Sequence, residues 1–181
     1  MKVKITEEQF EELENAIWLE FLNKASALEI HKSLITSNWD GNDFLLNWIK
    51  DNPKVDKATI LITYWMSAPR WMKQYTDRDD CAKKASWEVD DFDFVEELEH
   101  KYINGFFTES NIELDPANDH QGEDWTNEYM DKTIVRDIPT IMYQKLEGEK
   151  IEEPDDFDEG LPMEYTQRVY NLFDVYDVEE D

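Results

Sequence analysis

The start of the chain combines hydrophobic and acidic residues with the spacing of amphipathic helices. Apolar residues recur every three or four positions at Phe10, Leu13, Ile17 and Phe21, and glutamates occupy four of the eight positions between them. Thr6 and Ser26 are each followed three residues later by Gln or Glu, which is the capping-box pattern. The pattern predicts a first helix over about residues 7–24 and a second helix directly after it.

Shorter apolar runs follow, and each is bounded by a proline or a capping residue. A helix should stop before Pro53, because the residue preceding a proline disfavours helical geometry. Asp56 can cap the next run, which is apolar nearly all round; periodicity does not separate a helix from a buried strand there, but its length favours a helix. Pro69 suits the first turn of a further helix. The predicted helices are 43–51, 57–68 and 69–75.

The second half repeats helical spacing between longer acidic loops. A charged connection is expected at 76–80, and loops are expected at 111–124 and 149–161. A helix is predicted to follow Asp90 and Asp91, and a weak helical turn is predicted at 125–129. Two further helices are predicted, one over 138–146 and one that begins after Pro162. We therefore expect a mainly α protein, a compact multi-helix domain of about seven to nine short helices with little or no sheet.

Charge divides the chain into two unequal halves. Residues 1–75 carry 9 Lys+Arg against 11 Asp+Glu, whereas residues 76–181 carry 9 against 33. Aromatic residues make up 13% of the chain and recur throughout the acidic half, which is too much bulky apolar material for a disordered acidic segment. We expect a near-neutral helical half, 1–75, and a strongly acidic helical half, 76–181, that packs on the first as one domain.

The net charge of −26 constrains the possible partners. Nucleic acids and membrane surfaces are polyanions and should be repelled, so the favoured partner is a basic protein. The N-terminal residues contain no apolar stretch of signal-peptide length, and no apolar run is long enough to span a bilayer. These features predict a cytoplasmic protein that binds neither nucleic acid nor membrane.

Motifs for metal binding and catalysis are scarce. No acidic loop has the ligand spacing of a helix-loop-helix calcium site, although weak divalent binding stays open. Glu97 and His100 form a single Glu-x-x-His element without a second, and Cys81 follows two aspartates that oppose thiolate formation. Phosphate loops, dinucleotide fingerprints and nucleophile elbows are missing from the sequence. We predict no cofactor and no metal site, and the sequence favours a protein that is not an enzyme.

The most distinctive segment runs from residue 31 to residue 65. It contains an Asn-Trp-Asp-Gly turn, a helix that stops at a proline, and an aspartate-capped apolar helix. This segment resembles the uncharacterised bacterial family known as domain of unknown function 4274 over about residues 25–75. That family has no settled activity, so the resemblance implies no mechanism. The matching residues are His31, Asn38, Trp39, Asp40, Pro53, Lys54, Asp56, Thr59, Tyr64 and Trp65.

Three functional hypotheses remain open. The leading one is an acidic interaction protein, similar to an immunity protein, that covers a basic partner with clustered carboxylates and aromatic anchors. The candidate partner-binding residues are Asp90, Asp91, Phe92, Asp93, Phe94, Glu123, Asp124, Trp125, Asp155, Asp156, Phe157 and Asp158. The second is a small enzyme or ligand-binding domain that uses a polar pocket. Its candidate residues are His31, Asn38, Trp39, Asp40, Asp56 and Thr59. The third is an acidic domain with no cationic partner.

Overall fold

The computed structural model describes residues 2–152 and 154–179, and for Asp40 it describes the backbone alone. Within these residues the chain is mainly helical and has eight α-helices and two sheets of two strands each, so the predicted fold class is confirmed. The helices are α1 (Glu7–Lys24), α2 (Ala27–Thr36), α3 (Asp43–Asp51), α4 (Lys57–Met66), α5 (Pro69–Met72), α6 (Arg78–Lys84), α7 (Val89–Ile103) and α8 (Met163–Val175). The strands are β1 (Val3–Thr6), β2 (Phe157–Asp158), β3 (Leu161–Pro162) and β4 (Tyr176–Glu179).

The described residues group into two compact units. Unit 1 comprises the described parts of Met1–Asn47 and Glu153–Asp181, and unit 2 comprises Trp48–Glu152. In sequence, the segments of unit 1 carry 5 Lys+Arg against 20 Asp+Glu, and unit 2 carries 13 against 24. The acidic excess is therefore denser in unit 1, although that unit includes the near-neutral start of the chain. The expectation that the halves 1–75 and 76–181 pack as one domain stays a prediction.

Unit 1 is built around the first and last long helices. Thr6 and Gln9 cap α1 reciprocally, with donor–acceptor distances of 3.1 and 3.2 Å, and Ser26 caps α2 in the same way. These contacts confirm both predicted capping boxes. α1 packs on α8, where the Phe21 and Tyr165 rings lie 5.5 Å apart between centroids. The apolar stripe read from the sequence is thus the face that the two helices bury.

Two small sheets complete unit 1. β1 pairs with β4 in parallel, with Val3 opposite Tyr176, and β2 pairs with β3 as an antiparallel hairpin. The two residues of the hairpin turn, Glu159 and Gly160, have φ angles of +50° and +83°. A Cβ atom on Gly160 would lie 2.9 Å from the indole of Trp18, so this turn position requires glycine for space as well as for conformation.

Unit 2 packs α4 against α7. Every side chain from Ala58 to Trp65 is buried, which explains why this run shows no single apolar face. The neighbouring α6 contradicts the prediction that residues 76–80 form a connection, because the helix begins at Arg78. Asp77 accepts a hydrogen bond from the backbone N–H of Asp80 at 2.8 Å and begins this helix, whose only buried residue is Cys81. So short and polar a helix shows no apolar stripe in the sequence.

A charged network lies between α5 and α7 of unit 2. Lys73 Nζ, in a side chain only 3% exposed, is 2.8 Å from Glu96 and 2.9 Å from Glu99. Arg136 also pairs with Glu96, and the hydroxyl of Tyr64 donates to Glu99 at 2.6 Å. Burial would raise the pKa of Glu96, but the hydrogen bonds from Lys73 and Arg136 outweigh it and lower that pKa. Burial is the main cause of the raised pKa of Tyr64, and the charge of the Glu99 carboxylate adds to this effect.

The predicted helix over 138–146 is wrong. Only a short 3-10 turn, Thr140–Tyr143, follows Pro139, and Leu146 instead exchanges backbone hydrogen bonds with Leu114 at 2.8 and 3.0 Å. The apolar spacing in this segment serves backbone pairing rather than a helix. Glu149 extends this pairing, because its backbone N–H donates to the Asn111 carbonyl at 2.9 Å, and a Cβ atom on the neighbouring Gly148 would clash with that carbonyl.

Candidate binding cleft

Unit 1 contains a cleft of about 490 Å³. Its walls come from α1, the turn before α3, the first residues of α3, the β2–β3 hairpin and α8. Lysine and arginine are absent from the lining residues that the structure describes. Its acidic lining residues are Glu11, Glu14, Asp43, Asp158 and Glu159. Its aromatic lining residues are Trp18, Phe44, Tyr170 and Phe173.

Helical spacing explains how the two long walls are formed. Glu11, Glu14, Asn15 and Trp18 occupy positions i, i+3, i+4 and i+7 of α1, and such residues share one face of a helix. Thr166, Val169, Tyr170 and Phe173 repeat the same spacing on α8. The cleft is therefore bounded by one carboxylate-bearing helix face and one aromatic-bearing helix face.

The carboxylates of the cleft have different surroundings. Burial raises the pKa of the half-buried Glu14, and the charge of Glu11 adds to this effect. Asp158 accepts a hydrogen bond from the hydroxyl of Tyr170 at 3.0 Å, and that bond is the main cause of the raised pKa of Tyr170. Because Tyr170 and Phe173 remain about half exposed, the cleft is open to water along α8.

Glu159 adds a carboxylate at the hairpin turn despite its backbone conformation. A non-glycine residue at a φ of +50° occupies the left-handed region, which costs roughly 1 kcal/mol. Two-residue hairpin turns with two positive φ angles favour Asn-Gly or Asp-Gly, and this turn has Glu-Gly. The sequence thus carries a long acidic side chain at the cleft where a shorter residue would fit the backbone better.

The pocket residues predicted in unit 1 have different environments. Asn38 lines the cleft, whereas His31 is only 4% exposed on α2 and is not among the lining residues. Trp39 is half-buried in the 3-10 turn Trp39–Gly41. The side chain of Asp40 lies outside the described residues. Among the pocket candidates of unit 1 whose side chains are described, Asn38 is thus the one that lines the cleft.

The pocket residues predicted in unit 2 are buried on α4. The Asp56 carboxylate, 2% exposed, accepts hydrogen bonds from the backbone N–H groups of Ala58 at 2.7 Å and Asn111 at 2.9 Å. It also accepts one from the hydroxyl of Ser110 at 2.9 Å. Thr59 is fully buried one turn further along. Asp56 therefore caps a helix and anchors a loop, and a pocket shared with His31 and Asn38 stays a prediction.

The partner-binding candidates on α7 alternate between the surface and the core. Asp90 and Asp91 are exposed in its first turn, and Phe92 is buried. Asp93 pairs with Arg78 at 2.9 Å, and Phe94 is half-buried. The structure thus offers carboxylates, rather than the Phe92 ring, at this surface.

The remaining candidates follow a similar division. Glu123 is exposed, Asp124 caps the short turn Trp125–Asn127, and the half-buried indole of Trp125 donates to Asp119 at 2.8 Å. In unit 1, Phe157 is buried beside the exposed pair formed by Asp155 and Asp156. These positions present acidic groups around aromatic rings that are partly or wholly buried.

Trp87 is an exposed aromatic residue that the sequence analysis did not single out. It is 77% exposed on the 3-10 turn Ser86–Glu88, which immediately precedes α7. Glu88 fixes the turn from the inside, because its carboxylate accepts hydrogen bonds from the Trp71 indole at 3.0 Å and the Tyr75 hydroxyl at 2.6 Å. The sequence feature that could have identified Trp87 is a single aromatic residue among the charged residues of 86–91.

Metal and membrane features are limited in the described chain. Within residues 2–152 and 154–179, His, Cys, Asp and Glu side chains form no group of three or more suited to holding a metal ion. Cys81 is buried, and burial is the main cause of its raised thiol pKa. Among the helices described, none has both the length and the apolar character needed to cross a membrane.

A known family matches the segment that contains the Asn-Trp-Asp-Gly turn. Residues 25–103 match the family described as Domain of unknown function (DUF4274). The resemblance inferred from the sequence is confirmed, and the DUF4274 match extends through α6 and α7 to residue 103. The expectation that the match would end near residue 75 is therefore wrong for residues 76–103. No match was found among curated proteins or among solved structures.

Proposed function

We propose that this protein is a non-enzymatic interaction module that binds a basic protein partner. The observation that carries the proposal is Trp87, a large aromatic side chain that is 77% exposed on a turn fixed by internal hydrogen bonds. In protein–protein interfaces a few residues, often such aromatic anchors, contribute most of the binding energy. The exposed Asp90 and Asp91 lie three and four residues further along the chain, in the first turn of α7, and add negative charge to this part of unit 2.

The chemistry of this surface selects a cationic partner. An indole face attracts ammonium and guanidinium groups, and neighbouring carboxylates can pair with the same groups. A net charge of −26 also steers basic proteins toward the molecule, which raises association rates at low ionic strength. Binding should therefore weaken as salt increases.

The finer form of the proposal is an immunity-like role in the cytoplasm. A module of this kind covers the cationic active site of a basic protein, such as a nuclease, and blocks access to it. Clustered carboxylates and an aromatic anchor are the features that such a surface requires. Inhibition of the partner by stoichiometric amounts of this protein would distinguish this role from simple binding.

A capture experiment with matched variants tests the proposal. The tagged protein is incubated with a lysate of the native cell at low and at high salt, and captured proteins are identified by mass spectrometry. We expect the wild type to recover a basic protein at low salt, and the triple variant Trp87→Ala, Asp90→Asn, Asp91→Asn to lose it.

The control variant is Glu7→Gln, Glu8→Gln. These glutamates occupy the first turn of α1 as the aspartates occupy that of α7, and both pairs are exposed. The control should capture the basic protein as the wild type does. Equal capture by the triple variant, or recovery of no basic protein at low salt, would refute the proposal.

A further inference from the structure

The cleft of unit 1 has the properties of a second site, separate from the Trp87 surface. Its volume of about 490 Å³ falls within the range of small-molecule pockets, roughly 300–1,000 Å³. Its lining combines five acidic residues with four aromatic rings, and the described lining includes no basic side chain. A ligand that fits must therefore bring the positive charge and carry apolar surface as well.

We propose that this cleft binds a small organic cation, an ammonium or guanidinium group on a short carbon chain. The charged group would lie between the carboxylates of α1 and the hairpin, and the carbon chain would lie against the rings of α8. Aromatic faces stabilise organic cations through the ring quadrupole as well as by apolar contact. This inference goes beyond the proposed function, because neither the ligand nor the site depends on the basic partner.

Glu14 and Asp158 are the carboxylates best placed to bind the charged group. Glu14 is half-buried beside Glu11, and Lys and Arg are missing from the cleft's described lining. A bound cation would relieve both the burial and the repulsion that this carboxylate experiences. Tyr170 holds Asp158 by one hydrogen bond, which leaves the other carboxylate oxygen available to a donor from the ligand.

Glu159 acts as a specificity residue in this proposal. Its left-handed backbone conformation is unfavourable for a glutamate, and asparagine would satisfy the same turn more easily. Residues in strained conformations cluster at binding and catalytic sites, where their side chains serve function at a cost in stability. Replacement of Glu159 by Asn should therefore weaken cation binding without destabilising the fold.

The aromatic walls favour an organic cation over a metal ion. Calcium and magnesium require several oxygen ligands converging at about 2.0–2.6 Å. Among the residues that the structure describes, no group of three or more potential ligands is arranged in that way. A space of about 490 Å³ between two helix faces instead suits a ligand of several heavy atoms.

Calorimetric titration with matched ligands tests the inference. Pentylamine and 1-pentanol share the same carbon chain and differ mainly in charge. Agmatine is a dication that carries a guanidinium group at one end of a butyl chain and an ammonium group at the other. We expect the two cations to bind with one-to-one stoichiometry and the alcohol to bind at least about tenfold more weakly, which corresponds to about 1.4 kcal/mol. Equal binding of pentylamine and 1-pentanol would overturn the proposal.

Variants locate the site on the cleft. Glu14→Gln should weaken agmatine binding by roughly fivefold to tenfold, the effect of removing one half-buried charge partner. Glu159→Asn removes an exposed carboxylate and should weaken binding by roughly twofold to fivefold. Glu12→Gln removes the same charge from an exposed position of α1 outside the cleft and should leave binding unchanged. If Glu12→Gln weakens binding as much as Glu14→Gln, the general field and not the cleft attracts the cation, and the inference fails.

Two further measurements separate the possible outcomes. The Trp87→Ala variant should bind agmatine normally, so loss of partner capture and loss of cation binding can be observed independently. A short arginine-containing peptide distinguishes a free cation from a protein-borne side chain. Binding of the peptide without binding of agmatine or pentylamine would overturn a small-molecule site, whereas binding of agmatine supports it.

Discussion

Replacement of Lys73 by methionine probes the buried charge network of unit 2. The lysine side chain is 3% exposed and lies within 2.9 Å of both Glu96 and Glu99. Methionine keeps most of the apolar stem, so the change removes a cation and creates little cavity. After the change, the Glu99 side chain, 12% exposed, would retain the Tyr64 hydroxyl as its hydrogen-bond donor.

The structure allows the size of the effect to be estimated. Removing one partner of a buried ion pair costs about 3–5 kcal/mol, because the remaining charge is uncompensated. Glu96 is about one third exposed and keeps Arg136, so its share of the cost is small. We therefore expect Lys73→Met to lower the free energy of unfolding by about 3 kcal/mol, near the lower end of that range.

Urea unfolding followed by tryptophan fluorescence measures this loss. The double variant Lys73→Met, Glu99→Gln should recover part of the stability, because it removes the uncompensated carboxylate. Lys84→Met breaks an exposed pair with Asp80 in the same unit and should change the unfolding midpoint little. A loss below about 1 kcal/mol for Lys73→Met would refute the reasoning.

The same network makes the loss depend on pH. Glu96 has a pKa below its ordinary value of 4.5, so its contribution to stability is complete above that pH and disappears as pH falls through the lower folded pKa. Removal of Lys73 takes away one cause of the lowered pKa. The difference between wild type and Lys73→Met should therefore be largest near pH 7 and narrow below pH 4.5.

Three other predictions concern single positions. Asp56→Ala should lower the free energy of unfolding by about 3 kcal/mol in urea denaturation, since three donors lose a buried acceptor; an unchanged stability would argue against a structural role. Gly148→Ala should destabilise by more than Gly105→Ala, because its Cβ would clash with the Asn111 backbone. At Gly105 a Cβ would meet open space, and the cost there is the positive φ of +69°, roughly 1 kcal/mol. The reverse order of melting temperatures would contradict this. Glu14→Gln should raise the melting temperature at pH 7, because a carboxyl whose folded pKa is raised loses stability as pH rises, and the gain should vanish below pH 4.5.

Local signals in the sequence were sufficient for much of the helical structure. The capping residues Thr6, Ser26 and Asp56 determine where three helices begin, and each makes the predicted hydrogen bond to the backbone. These contacts span only two or three residues, so they can be inferred without the fold. The segment around Pro139 shows the opposite case, because pairing with Leu114 replaced the helix that the apolar spacing predicted.

The cleft could not be predicted for a related reason. Glu14 and Tyr170 are separated by more than 150 residues in sequence, and only the packing of α1 on α8 makes them walls of one cavity. Trp87 has no periodic partner, and its exposure follows from the hydrogen bonds that turn Glu88 inward. Charge composition led to the expectation of a cationic partner, whereas the positions of both proposed sites required the fold.

The parallel pairing of β1 with β4 has a consequence for synthesis on the ribosome. Val3 faces Tyr176, so unit 1 cannot form this sheet until nearly the whole of the described chain has been translated. Unit 2 is continuous in sequence and is available for folding earlier. Domains usually fold from the N-terminus as they emerge from the ribosome. In this chain, α1 cannot bury its apolar face against α8 until α8 has been translated. Nascent chains arrested after residue 152 should therefore expose the apolar face of α1 to chaperones.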